Sequence, residues 1–252
     1  MFLTLLKKEL REQRRTHRLL IFVAAFTLIG LLSPLVARYT PVLLRSIPDL
    51  PAGLAELIPD PSVKDALDQY VKNFSQIGLL LVIVLSMGLI AQEKERGTAA
   101  MLFSKPVRRA SFVLGKWLAA LASLLAGLAL AATGCLLYTW ILFDPLPLAE
   151  FLALNALLAV FLGVYLTLAL TGSALARSQA MGAVAAFGLV VLVLVLGSVP
   201  RLGDYLPGRL LAGGEALVMG GTFEAWPALL GSLALIGLAL LGACLFIERE
   251  EL

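Results

Sequence analysis

At 252 residues, 60% of them hydrophobic and only 15% charged, with a mean hydropathy of +0.94, the chain is far more apolar than a water-soluble domain, for which roughly 45–50% apolar and about 25% charged is usual. This excludes a soluble domain and predicts an all-α integral membrane protein, a single domain over residues 1–252. The net charge of +3 and pI near 9.0 do not indicate nucleic acid, because the basic residues fall where a bilayer places them.

In residues 1–18, Leu3, Leu6 and Leu10 recur at helical spacing while Lys7, Lys8, Arg11, Arg14, Arg15 and Arg18 cover the rest. This predicts an amphipathic interfacial helix on the cytoplasmic leaflet, its cations toward anionic headgroups. His17, the chain's single histidine, reads as an interfacial polar residue. Six stretches without Asp, Glu, Lys or Arg follow, at about 19–37, 74–91, 117–143, 151–176, 181–199 and 228–247. Each is long enough to cross about 30 Å of hydrocarbon at roughly 1.5 Å per residue. The first could be mistaken for a signal peptide ending at Leu35-Val36-Ala37, but its length exceeds a signal's apolar region of about 7–15 residues, so a retained anchor is expected.

Residues 38–61 hold Pro41, Pro48, Pro51, Pro59 and Pro61 and predict an irregular linker. After it, Ser62 with Asp65 forms a capping pattern, and Val63, Ala66, Leu67, Tyr70, Val71 and Phe74 keep helical spacing into the second span. Residues 200–227, rich in glycine around Leu210, Leu211, Leu217 and Val218, predict short helices in the outer interface. When the six spans alternate, 14 of the 20 basic residues collect on one side, in residues 1–18, 92–116, the turn at Arg177 and the tail 248–252. The net charges of the two sides are +7 and −4, which predicts cytoplasmic N- and C-termini in a multi-pass plasma-membrane protein.

Catalytic machinery is not evident. One histidine rules out a paired-histidine zinc site and a serine–histidine dyad within the membrane. Spans without ionisable acids or bases lack the usual parts of a proton relay. Gly115-Lys116 is followed by Trp117 and is not a phosphate-binding loop. No catalytic, cofactor-binding or metal-ligating residue is therefore assigned, and any directional work must draw on a partner or a gradient. Cys135 and Cys244 lie in apolar runs in opposite leaflets, so no disulfide is expected. The polar residues Ser86, Ser123, Thr133, Asn155, Thr167, Thr171 and Ser232 predict interhelical hydrogen bonds, and the pairs Gly127 with Ala131 and Gly182 with Ala186 predict close helix contacts.

The cytoplasmic loop 92–116 carries the informative pattern. A charged start, a Gly97-Thr98 break, an apolar turn over 99–103 and a proline stop at Pro106 predict a short helix across the membrane face. Glu93, Glu95, Arg96-Gly97-Thr98, Leu102, Pro106, Arg109, Leu114 and Lys116 resemble the E-x-E-R-G-T…L…P…R…L-x-K pattern of type-2 ATP-binding-cassette (ABC) exporter permeases, and residues 6–12 are similar to that family's opening. The likeness extends over the whole chain in length, span count and loop sizes, but only this loop is motif-specific.

The resemblance implies a permease that works as two copies, homo- or heterodimeric, with two ATPase subunits that bind ATP and magnesium themselves. It implies that Glu93, Glu95, Arg96, Gly97, Thr98, Leu102, Pro106 and Arg109 couple to the ATPase, with Leu3, Leu6, Lys7, Lys8, Leu10 and Arg11 on a flanking interfacial helix and Arg177 in a second contact. Uncharged spans favour an apolar or amphiphilic substrate. Three alternatives stay open: a gradient-driven secondary carrier, a non-transporting scaffold or sensor, and a loop that is only a positive-inside anchor with local ion pairs.

Overall fold

The computed structural model describes residues 2–46, 60–98, 101 and 108–250. In chain order it contains α1 (Phe2–Arg15), α2 (Arg18–Arg45), α3 (Val63–Asn73), a π-helical turn at Phe74–Gly78, α4 (Leu79–Ser86), α5 (Ala91–Glu95) and α6 (Arg109–Leu142). There follow α7 (Leu148–Leu175), α8 (Gln179–Gly197), a 3₁₀ turn at Gly203–Tyr205, α9 (Gly208–Val218) and α10 (Trp226–Arg249). Six runs are long and apolar enough to cross a membrane: Arg18–Arg45, Val63–Glu95, Arg109–Leu142, Leu148–Leu175, Gln179–Gly197 and Trp226–Arg249. The chain is a multi-pass membrane protein, with no strand among the described residues.

Burial orders the helices. The most apolar window of α7 is 72% buried against 22% for α8 and 17% for α10, so α7 is the axis around which the others pack. Its central run from Phe161 to Thr171 is buried on every side. Small residues set the closest approaches. A Cβ on Gly30 of α2 would lie 2.2 Å from the carbonyl oxygen of Ala131 in α6, and one on Gly172 of α7 only 2.4 Å from the amide nitrogen of Ala186 in α8. Gly127 meets the Phe22 carbonyl and Gly182 the Met87 carbonyl, so both predicted small-residue pairs lie in helix contacts. Around the α2–α6 seam, Phe22, Phe26, Phe74 and Tyr70 form an edge-to-face chain with centroids 4.9–5.6 Å apart.

The cap at the start of α3 is as the sequence predicts: Ser62 accepts from the Asp65 amide, and the Asp65 carboxylate accepts from the Ser62 amide at 2.7 Å. The linker differs from expectation at its start. Helix α2 continues through Arg38 and Pro41 to Arg45 instead of ending at Ala37. Each proline removes one backbone donor and leaves the carbonyl four residues earlier without its helical partner, and the hydroxyls of Ser33 and Thr40, beside the two prolines, bond back along the helix to the Ile29 and Val36 carbonyls at 2.6 Å. The four prolines from 48 to 61 begin beyond this helix, and positions 47–59 lie outside the described residues. Residues 203–218 hold the short helices predicted there, with Leu210, Leu211 and Val218 buried.

Among the predicted interhelical hydrogen bonds, Asn155 accepts from the Tyr70 hydroxyl at 2.7 Å, Thr167 accepts from the Trp117 indole at 2.8 Å, and Thr171 donates to the Ala239 carbonyl at 3.2 Å. Ser123 and Thr133 instead bond back to the carbonyls four residues earlier, and the buried hydroxyls of Ser86 and Ser232 have no protein partner among the described residues.

Candidate functional site

The second span does not run straight into the loop. After Ser86 the helix breaks over Met87–Ile90 and restarts as α5, and the break leaves amide donors without helical acceptors. Ser173 of α7 supplies one: its hydroxyl oxygen accepts from the amides of Ile90 at 3.0 Å and Ala91 at 2.9 Å. From there each successive side chain reaches a different helix. Gln92 accepts from Arg18 of α2 at 3.2 Å, and Glu93 accepts from Lys116 of α6 at 2.7 Å. Lys94 donates to the Ala174 carbonyl at the end of α7 and to the Glu250 carboxylate just past α10, with its ammonium 5.4 Å from the Phe246 ring centroid. Glu95 accepts from the Gln179 amide, the first of α8, at 2.9 Å, where a carboxylate is favoured by the helix dipole.

Six consecutive residues, 90–95, thus fasten α5 to each of the other five spans.

The tail joins the same assembly. Arg109, the first residue of α6, donates to the carbonyls of Ile247 at 2.9 Å and Glu248 at 3.3 Å and to that of Glu250, closing the carbonyl end of α10 with a cation. Residues 2–18, the described loop residues 91–98 and the tail residues 248–250 therefore share one end of the bundle, the grouping the charge distribution predicts.

Lys116 is the most deeply buried charge there, 1% exposed, and it donates to Glu93 and also to Glu9 of α1 at 3.0 Å. Lys8 lies 3.1 Å from Glu9, 3.5 Å from Glu12 and 3.6 Å from Glu93. Burial alone pulls the Lys8 ammonium down, but the carboxylates of Glu9, Glu93 and Glu12 outweigh it and hold the group above its ordinary pKa. The oxygens of Glu9, Glu12 and Glu93 lie within 4.8 Å of one another, a spacing a metal ion could use. The ammonium groups of Lys116 and Lys8 already bond to this set, so these residues suit an ion-pair cluster rather than a cation site.

Helix α1 meets the bundle by a polar face. Leu5, Glu9 and Gln13, at four-residue spacing, are buried against the bundle, while Leu3 and Leu10 are exposed and Leu6 is half-buried. The amphipathic reading of α1 holds for its leucines, but the helix has a third, protein-facing side that the apolar pattern does not reveal. His17 joins α1 to α2 in a left-handed conformation, φ 57°.

The sequence-predicted motif residues divide into anchors and an exposed turn. Glu93, Glu95 and Arg109 are anchors to distant helices, not local i, i+3 partners. Gly97 turns the chain at φ +71° with open space on the side a Cβ would occupy. Arg96, Thr98 and Met101 are exposed, and with Lys8, Glu12, Gln92 and Glu93 they line a cleft of about 420 Å³ between α1 and the loop. Thr98 donates to the Glu93 carbonyl at 3.1 Å. Leu102 and Pro106, with the rest of the apolar turn predicted over 99–103, lie outside the described residues apart from Met101. Arg177 is exposed in the turn between α7 and α8 at the same end. Lys7 and Arg11 are exposed on α1.

Sequence reasoning did not single out Glu9, Lys94 or Ser173, met Lys116 only in the loop pattern and in a rejected phosphate loop, and counted Arg18, which here bonds to Gln92, among the headgroup-facing cations. The one available signal was Glu9, an acid that shares a face with Leu5 and Gln13 in a mostly basic helix.

Two comparisons bear on this arrangement. Residues 3–203 match the family model described as ABC-2 family transporter protein. The chain is also 28% identical over 255 residues to the uncharacterized transmembrane protein YxlG of Bacillus subtilis (strain 168), an alignment that covers 99% of this chain and 98% of the other.

Proposed function

The chain belongs to the ABC-2 family of transporter proteins, and from that premise we propose that it is the membrane-spanning permease of an ABC exporter whose ATPase is a separate polypeptide. The ATPase subunits bind ATP and magnesium, and this chain converts their closure into rearrangement of its spans. The path forms between two permease copies in the plasma membrane, with both termini in the cytoplasm, and its cargo is apolar or amphiphilic.

One observation carries the reading: residues 90–95 are fastened to α2, α6, α7, α8 and α10, and the next residues, Arg96 to Thr98, stand exposed beside a cleft. A push on the exposed turn is delivered at once to every span, because buried, hydrogen-bonded contacts have discrete arrangements and do not yield continuously. A loop that only anchored the chain by its positive charge needs no such ties. The six spans hold no Asp, Glu, Lys or Arg over 19–37, 74–91, 117–143, 151–176, 181–199 and 228–247, which favours a nucleotide-driven permease over a carrier with mid-membrane ion sites.

The test is co-purification with an ATPase encoded beside this chain's gene, followed by Arg96→Ala and Gly97→Pro. Arg96→Ala removes the exposed guanidinium. Gly97→Pro forbids φ +71°. Both variants are expected to keep the permease folded and to lose its stimulation of the ATPase; stimulation that survives both excludes this role for the turn.

A further inference from the structure

Helix α1 presents three sides, and each meets something different. The buried side, Leu5, Glu9 and Gln13, lies on the bundle, with Glu9 bonded to Lys116. The second side is apolar and open: Leu3 is 69% and Leu10 37% exposed. The third carries Lys7, Arg11, Arg14 and Arg15, all exposed and none in an ion pair among the described residues, although Glu12 lies on the same helix. Exposed leucines beside unpaired cations match an anionic lipid surface in both chemistry and geometry: the leucines enter the acyl boundary while the cations stay with the headgroups. Neutral lipid satisfies only the leucines.

We infer that α1 reports the anionic charge of the membrane surface to the coupling segment, through the Glu9–Lys116–Glu93 bridge. The inference rests on the coupling role proposed for residues 91–98. Glu9 is the link because its carboxylate and the Glu93 carboxylate share one buried ammonium, 3.0 and 2.7 Å away, whereas Lys8, the other contact from α1 to Glu93, is half-exposed and lies 3.6 Å off. Seating α1 on anionic lipid fixes Glu9, which fixes Lys116, which fixes the first turn of the loop. Where the leaflet lacks anionic lipid, α1 is held to the membrane by its leucines alone and the bridge is freer to rearrange.

The experiment places the permease in nanodiscs of phosphatidylcholine with or without phosphatidylglycerol, at low and high salt. It reads amide hydrogen exchange over residues 91–96 in the permease alone, and ATPase stimulation in the complex. Phosphatidylglycerol is expected to slow exchange over 91–96 severalfold and to raise stimulation, both effects shrinking at high salt. In Arg11→Gln/Arg14→Gln/Arg15→Gln the two lipid conditions should converge. In Glu9→Gln they should converge too, although α1 itself still responds to the lipid. Lipid dependence at 91–96 that persists in either variant, or is missing from the native chain, overturns the inference. The exchange measurement needs no ATPase, so a failure of the coupling reading shows separately, as a permease that responds to lipid but stimulates nothing.

Discussion

Lys116 and Glu93, 23 residues apart in sequence, meet at 2.7 Å with the ammonium 1% and the carboxylate 14% exposed, so the loop is tied to the third span by a charge pair from which water is nearly excluded. Glu9 brings a second carboxylate to the same ammonium. Such a cluster is tolerated only while all its members are present, because each buried charge depends on the others for the solvation it has lost.

Lys116→Met keeps the length and apolar bulk of the stem and removes the charge, leaving buried Glu9 and half-buried Glu93 with only the half-exposed Lys8 as a cation. The expected cost is about 3 kcal/mol of stability, read as an early unfolding transition in detergent. The triple variant Glu9→Gln/Lys116→Met/Glu93→Gln should recover most of that loss, because no uncompensated charge remains. A triple no more stable than the single change would show that the ammonium acts by something other than charge pairing.

Ser173→Ala removes the acceptor shared by the Ile90 and Ala91 amides, both buried. Orphaning the two donors should cost about 2 kcal/mol and accelerate hydrogen exchange at those two amides well before exchange in α7 itself. Ser173→Thr, which keeps the hydroxyl, should restore protection at both. Unchanged exchange in the alanine variant would mean that the break at Met87–Ile90 is held by packing alone.

The contrast between these anchors and the helices explains what the sequence can disclose. Local chemistry is legible: the Ser62–Asp65 cap and the register from Ala66 to Phe74 follow from residues within a few positions of one another. The spans are legible because lipid imposes a length. The extension of α2 past Pro41 was not, since a proline removes a single backbone bond and does not by itself end a helix whose other amides stay paired. Nor was Glu9, whose partner lies 107 residues away. The loop pattern identified Glu93, Glu95 and Arg109 as important but not as anchors, because their partners, Lys116, Gln179 and the carbonyls ending α10, come together only in the folded bundle.

Glu215 lies outside the spans, on α9, half-buried and facing Asp68 and Lys64 of α3. Burial first, and the Asp68 carboxylate second, raise its pKa above the ordinary carboxylate value, with Lys64 opposing. A carboxyl whose folded-state pKa is raised binds more protons folded than unfolded. The folded state therefore gains as pH falls through the window just above the ordinary Glu range, and loses that gain as pH rises through the folded pKa. Glu215→Gln should raise the melting temperature slightly at neutral pH and flatten the pH dependence just above the ordinary Glu range. A steeper dependence in the variant would mean that the Lys64 attraction outweighs burial.

The last prediction separates glycines that set helix spacing from those that do not. At Gly172 a Cβ would lie 2.4 Å from the Ala186 amide nitrogen and 2.6 Å from its Cα, and a backbone cannot move aside as a side-chain tip can. Gly172→Ala should force α7 and α8 apart, with a loss of about 2 kcal/mol and loosening of the Glu95 carboxylate from the Gln179 amide, because Gln179 begins the helix that would be displaced. Gly237, in α10, has nothing within 4 Å of the same position. Gly237→Ala should be neutral or stabilising by up to about 0.5 kcal/mol through helix propensity. Paired melting curves decide the matter, and equal effects at the two positions would mean that α7 and α8 are not packed backbone to backbone.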